Sequence, residues 1–300
     1  MPNFLVIGAA KAGTTSLYTY LQQHPQIYLS PVKETNFFAM EGENLNYKYP
    51  ASKTIDNYLS QCQTDLHTYQ KLFEGVSDEK AIGEISPMYL YETQAPERIH
   101  HYIPDVKLIA ILRNPVDRAY SGFLHTIRDN LEPIADFEQA IQEEPKRRES
   151  NWWWGFFYVH PGFYYEQLTR YFQKFERSQI KIYLYEDFQK QPTPLLQDLF
   201  RFLQVNESFM PDMSAKYNVT GIPRNKVLYK ALNQRNLFTL ALRLLLPSKL
   251  YESFTTDIKN RSLTKPELTS DVRKHLIQVY KEDILKLQDL LQKDLSAWLK

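Results

Sequence analysis

Two short clusters in this chain pair a fixed positive charge with groups that can hold an oxyanion. The first runs Gly8-Ala9-Ala10-Lys11-Ala12-Gly13-Thr14-Thr15-Ser16-Leu17. Its glycines let the backbone pass close to an anion, and the helix that should begin after Gly13 offers free N–H groups and a positive dipole end. Lys11 adds a full charge, and Thr14, Thr15 and Ser16 add hydroxyl donors. A nucleotide-triphosphate loop wants lysine directly after the second glycine and a Ser or Thr on magnesium. Here Thr14 follows Gly13 and the lysine comes earlier, which suits a diphosphate-like group without a metal. The second cluster is Arg113-Asn114-Pro115-Val116-Asp117-Arg118-Ala119-Tyr120-Ser121. An arginine fork and a hydroxyl two helical turns apart make a phosphate clamp; a salt-bridged arginine at a capped helix start would read the same. A third group is Lys33-Glu34 ahead of Phe37-Phe38; alone it reads as a solvated pair at a strand end, with the two phenylalanines as the expected source of any burial.

The elements that must position these groups are legible from periodicity. Phe4–Gly8, Ala81–Ile85, Val106–Leu112 and Ile180–Tyr185 are short apolar runs bounded by turn residues, and Gln26–Leu29 is a fifth. Such runs suit strands buried on both faces. Helical patterns cover 15–23, Pro115–Arg128, Glu166–Phe175 and Pro194–Leu203, and a last one carries Val272, Leu276, Val279, Tyr280, Ile284, Leu287, Leu291 and Trp298 at helical spacing to the C-terminus. The alternation predicts an α/β fold: a P-loop-like central parallel sheet flanked by helices, with a long C-terminal helix. One domain over 1–300 is expected, with the Tyr-rich segment 41–75 as an insertion over the sheet. Both anion clusters then follow strands, at the carboxyl end where open α/β sheets bind ligands.

With 300 residues and 43% apolar content the chain can bury a sizeable core, which excludes disorder as its main state. Lys and Arg number 36 against 35 acidic residues, so a bulk electrostatic grip on nucleic acid is not expected. Cys62 is the only cysteine, which excludes an intrachain disulfide and a thiolate metal cage. No run reaches the roughly 20 apolar residues of a spanning helix. The apolar N-terminus lacks a basic lead and reads as a strand rather than a signal. A soluble cytoplasmic protein is expected, with 237–246 as a candidate for peripheral membrane contact.

The loop from Lys11 to Leu17 resembles the 5′-phosphosulfate loop of sulfotransferases that use 3′-phosphoadenosine 5′-phosphosulfate (PAPS), and the 113–121 cluster is similar to that family's 3′-phosphate motif. The Lys-Glu-x-x-Phe-Phe segment resembles the heparan sulfate branch. The resemblance implies PAPS as co-substrate, held by Lys11, Ala12, Gly13, Thr14, Thr15 and Ser16 at one end and by Arg113 and Ser121 at the other. It implies Lys11 on the bridging oxygen that departs, Glu34 as general base, and no metal. His125, four residues after Ser121, matches a histidine of the heparan sulfate N-sulfotransferases and is carried over as an acid/base or acceptor contact; Arg224 is placed as a further nucleotide contact. The 3-O-sulfotransferases have a histidine where Asn36 stands and a lysine where Ile85 stands, so the charge arrangement around the acceptor differs.

Trp152-Trp153-Trp154 cannot all face one core. Trp153, with Lys33, is the candidate acceptor contact, since exposed aromatic faces stack on sugars or apolar groups. The preceding Lys146-Arg147-Arg148 reads as a solvated charge run. The implied acceptor is a carbohydrate hydroxyl or amine, with a small lipid, polyketide or other alcohol as the alternative. A P-loop kinase would need magnesium-ATP, and a glycan-binding module without turnover would not need the charged set at all.

Overall fold

The computed structural model describes residues 1–214, 221–223, 263–264 and 266–300. Arg224 and 237–246 lie outside the described residues. Five parallel strands form the central sheet: β1 (Phe4–Gly8), β2 (Ile27–Leu29), β3 (Ala81–Ile85), β4 (Lys107–Leu112) and β5 (Ile180–Leu184), in the order β2-β3-β1-β4-β5. All five residues of β1 are buried, as are all but the first of β4. That is why these strands read as unbroken apolar runs rather than alternating ones. From β1 the chain goes out to the edge strand β2, returns to β3 beside β1, then crosses to β4 on the other side. The order therefore reverses between β1 and β4, and there the loops after the strands splay to leave a crevice.

The helices follow the sheet closely. α1 (Thr14–Leu21) follows β1, α2 (Phe37–Met40) follows β2, and the 41–75 segment folds into α3 (Lys53–Gln61) and α4 (Leu66–Lys71). α5 (Met88–Tyr91) and α6 (Ala95–Tyr102) link β3 to β4. α7 (Pro115–Arg128) leaves β4 on a proline at its first turn, capped by Asn114, whose side chain accepts from the N–H groups of Val116 (3.0 Å) and Asp117 (3.4 Å). α8 (Phe137–Gln142), α9 (Glu144–Glu149) and α10 (Tyr164–Phe172) lead to β5, and α11 (Tyr185–Lys190) and α12 (Pro192–Leu203) follow it. Residues Ile222–Pro223 and Leu263–Thr264 pair as a short antiparallel ribbon.

The C-terminal helix spans Ser270–Leu291 and stops at Gln292, whose backbone is left-handed (φ 52°). The apolar periodicity that predicts helix through Trp298 thus continues past the helix itself: Trp298 sits in a separate turn, Ser296–Leu299, and is buried beside Tyr164. Val279, expected on the buried face, lies at the edge of the stripe and is 37% exposed. The helix anchors the site's framework at two points. Asp283 accepts from the N–H groups of Tyr164 and Tyr165 at the start of α10, and Arg273 pairs with Asp117 of α7 at 2.7 Å. Among the described residues no helix is long and apolar enough to cross a membrane.

Candidate active site

The crevice at the carboxyl ends of the strands opens into a cavity of about 430 Å³. Lys11 and Thr15 line it from the β1–α1 connection, Lys33 and Glu34 from the segment after β2, and His125 from α7. Gly13 has φ 86° and caps α1 with no side-chain cap bond among the described residues. Tyr185 and Phe188 of α11 press so closely on Gly13 that a Cβ there would meet Tyr185 at 3.0 Å. The left-handed backbone and the crowding both call for glycine.

Lys11 itself has φ 67°, and Glu34 has φ 62°. Left-handed backbone in a non-glycine residue costs about 1–3 kcal/mol and collects at functional sites. Among the residues that carry it here are the two that bring opposite charges to one cavity. Burial, reinforced by the Arg128 and Arg113 cations, pulls the Lys11 ammonium down to about 7, against the opposing pull of Asp129 and Glu34.

Arg113, buried at the end of β4, donates to the Lys11 carbonyl at 2.8 Å and lies over the Tyr185 ring at 4.7 Å. It therefore braces the β1–α1 loop across the β1–β4 switch point. Ser121 is buried in α7 one turn before His125. Neither Arg113 nor Ser121 lines the cavity that holds Glu34; they stand behind the loop on its β4 side.

Glu34 is held from two sides. Lys33 Nζ meets one carboxylate oxygen at 2.5 Å, and the Tyr58 hydroxyl donates to the other at 3.2 Å. Asn36 Nδ2 donates to the Tyr58 oxygen at 2.8 Å. Tyr58 comes from α3, so the 41–75 insertion carries one wall of the site. Sequence reading missed it, because no local pattern joins a tyrosine to a carboxylate 24 positions away. The expected partners, Phe37 and Phe38, instead turn into the core against Tyr69, Tyr89 and Tyr102.

Beneath this segment lies a second carboxylate, Glu84 on β3, with no exposed surface. It accepts from Thr35 (2.6 Å), Ser86 (2.7 Å), Tyr69 (2.9 Å) and Tyr89 (2.5 Å). Burial still raises its pKa against those four donors. Ser86 in turn accepts from the Asn36 N–H at 3.1 Å, which pins the backbone that presents Glu34. An acidic residue inside a buried strand was the available signal. Glu84→Ala strands four hydroxyls and opens a cavity; urea denaturation should show a loss of about 2–5 kcal/mol.

His125 lies at the cavity wall, its pKa pushed well below the usual histidine range by desolvation and by the Lys11, Arg128 and Lys33 charges. Arg128 donates to its Nδ1 at 2.5 Å, and Asp129 holds Arg128 at 2.8 Å. A neutral ring accepting at Nδ1 carries its proton on Nε2, so His125 is set up to donate a hydrogen bond rather than to take a proton at Nδ1.

The aromatic stretch divides its labour. Trp153 and Trp154 line the cavity, while Trp152 packs on Phe156 and on the Arg147 guanidinium, 5.1 Å from its ring. The stretch is sewn to the insertion through backbone bonds, Lys48 N–H to the Asn151 carbonyl and Trp153 N–H to the Lys48 carbonyl, both 2.9 Å. The charge run before it is only partly solvated: Lys146 is exposed, but Arg147 is buried in a two-pronged pair with Glu132 at 2.7 and 2.8 Å. Among the described residues, no group of three or more His, Cys, Asp or Glu is placed to hold a metal ion.

The sulfotransferase domain family matches residues 1–220, and the chain belongs to that family. A solved sulfotransferase from Alicyclobacillus acidocaldarius is 31% identical, with a TM-score of 0.78 over 100% of this chain and 99% of that one. The bifunctional heparan sulfate N-deacetylase/N-sulfotransferase 1 of Xenopus laevis is 24% identical over 311 residues, and its human counterpart 3 is 26% identical over 312. All of this chain is covered in both matches, yet it spans only 31% of either relative. A mouse sulfotransferase complexed with PAP, 13% identical over 94% of this chain and 84% of that one, shares the fold at a TM-score of 0.50.

Proposed function

We propose that the chain transfers the sulfuryl group of PAPS to a hydroxyl or amine in the cavity. The observation that carries this is the meeting of Lys11 and Glu34 on opposed, left-handed turns of one cavity, with Arg113 bracing the Lys11 backbone. Residues 11–16 and the start of α1 would take the 5′-phosphosulfate, and Arg113 with Ser121 the 3′-phosphate. Glu34 removes the acceptor proton as the acceptor oxygen or nitrogen forms its bond to sulfur. The bond from sulfur to the bridging oxygen breaks, and Lys11 meets the charge that develops on that oxygen. His125 would donate through Nε2, and Lys33 holds the carboxylate in place. The chemistry needs no metal. The names of the heparan-type relatives favour a carbohydrate acceptor, and a small alcohol or amine is the alternative.

Thermal melting tests this with PAP, ADP and magnesium-ATP in parallel. PAP at a hundred times its Kd should add about 2.7 kcal/mol without metal, and ADP far less. A response to magnesium-ATP with none to PAP would point to a kinase. PAP binding without sulfate transfer to any alcohol, amine or glycan would point to a binding module.

A further inference from the structure

Part of the cavity lining is unlike the part that holds Lys11 and Glu34. It is apolar: Ile55, Leu131, Trp153, Trp154, Phe157 and Met88. Tyr58, whose hydroxyl holds Glu34, packs its ring edge-to-face on Trp153 (5.7 Å) and Trp154 (5.9 Å). The apolar wall therefore begins at the residue that positions the base. Trp153 is fixed where it stands: its ring lies over Gly155 so closely that a Cβ there would come within 2.0 Å.

The cations near this wall are engaged. Lys33 pairs with Glu34, Arg128 with Asp129, and Arg147 with Glu132; Arg118 is buried and donates to the Tyr158 carbonyl. Past Met88, Tyr91, Trp154 and Phe157 the cavity leads to a second depression of about 510 Å³. There Arg148 stands against two carboxylates, Glu92 and Glu149. Among the described residues, a sulfated or carboxylated chain leaving the cavity this way meets more negative charge than positive. Like-charge juxtaposition of that kind rejects a partner.

We infer that the acceptor is an uncharged alcohol whose hydroxyl sits beside an aromatic or planar apolar body, in preference to a polyanionic glycan. This rests on the sulfotransferase reading and names the substrate class of the same site. The body buries its apolar face on Trp153 and Phe157 while its hydroxyl reaches Glu34. The proton passes to the Glu34 carboxylate as the oxygen–sulfur bond forms and the bond to the bridging oxygen breaks.

The test uses PAPS with 2-naphthol and, separately, with de-N-sulfated heparin, alongside calorimetric titration of PAP. The expected result is naphthol sulfation with a kcat/KM at least about tenfold above that for the heparin. Trp153→Ala should raise the KM for naphthol about tenfold or more and leave the Kd for PAP unchanged, and Trp153→Phe should restore most of the loss. Sulfation of the heparin in preference to naphthol overturns the inference and leaves sulfuryl transfer standing. So does turnover of neither probe by protein that binds PAP. Failure to bind PAP would instead sink the reading on which the inference rests.

Discussion

Glu34→Gln should lower kcat by about 10²–10⁴-fold while the Kd for PAP stays within about twofold, because a positioned general base contributes that much and the substitution keeps the side chain's shape. The amide oxygen can keep the Lys33 bond while the amide NH2 donates to the Tyr58 oxygen, which reverses that bond but leaves the loop in place. Pre-steady-state measurement of sulfate transfer, beside titration with PAP, separates chemistry from binding. The retained PAP affinity is the informative half: it distinguishes loss of a proton acceptor from collapse of the left-handed turn at Glu34. If kcat falls by less than about tenfold, proton removal by Glu34 is not part of the slow step, and His125 becomes the group to substitute next. Tyr58→Phe offers a graded companion. It deletes one bond to the carboxylate but keeps the ring against Trp153, and should have a smaller effect on kcat.

The sheet was legible because each strand is buried on both faces and carries its own local signature. β1, β3 and the start of α7 fall where turn residues and apolar runs place them, and Pro115–Arg128 begins and ends as read. Boundaries slipped where capping is decided by partners distant in sequence. α10 starts at Tyr164, not Glu166, because Asp283 of the C-terminal helix satisfies its first N–H groups. The helical stripe to Trp298 misled because a buried tryptophan in a following turn continues the apolar spacing without continuing the helix.

The groups proposed for the nucleotide lie within single strand–turn–helix units, residues 11–16 and 113–121, and so show as local motifs. The groups proposed for the acceptor do not. Their wall is assembled from α3, the segment around Leu131 and the 152–157 stretch, joined through a backbone bridge between Lys48 and Trp152. Nothing local in a Tyr-rich polar insertion says which tyrosine will meet Glu34. The three tryptophans did carry a signal, and they divide as their helix-incompatible spacing demands, two toward the cavity and one toward Arg147. The phenylalanines after Glu34 pointed the wrong way because burial of an aromatic side chain and burial of its neighbour's carboxylate are separate events: the chain reverses at Asn36, with φ 53°, between them.

The affinity for PAP should fall about tenfold for each pH unit above 7, up to the pKa Lys11 acquires in the complex. With its pKa lowered to about 7, Lys11 is only partly charged in the free protein near neutrality. A phosphate beside it favours the ammonium and restores the higher pKa. Between those two values the complex holds more protons than the free protein, so binding takes up a proton and weakens as pH rises. Phosphate second ionisations, near 6, are largely complete in this range, so the slope belongs to Lys11. Calorimetry at pH 8 in buffers of different ionisation enthalpy should record uptake of about one proton per PAP bound. Lys11→Met should remove both the proton uptake and the slope, and lower kcat by about 10²–10³-fold, the usual cost of losing one donor to a developing oxyanion. A wild-type affinity that stays flat from pH 7 to about 9 would mean that the lysine is fully charged before the nucleotide arrives. The desolvated 11–16 loop would then not be a site waiting for negative charge.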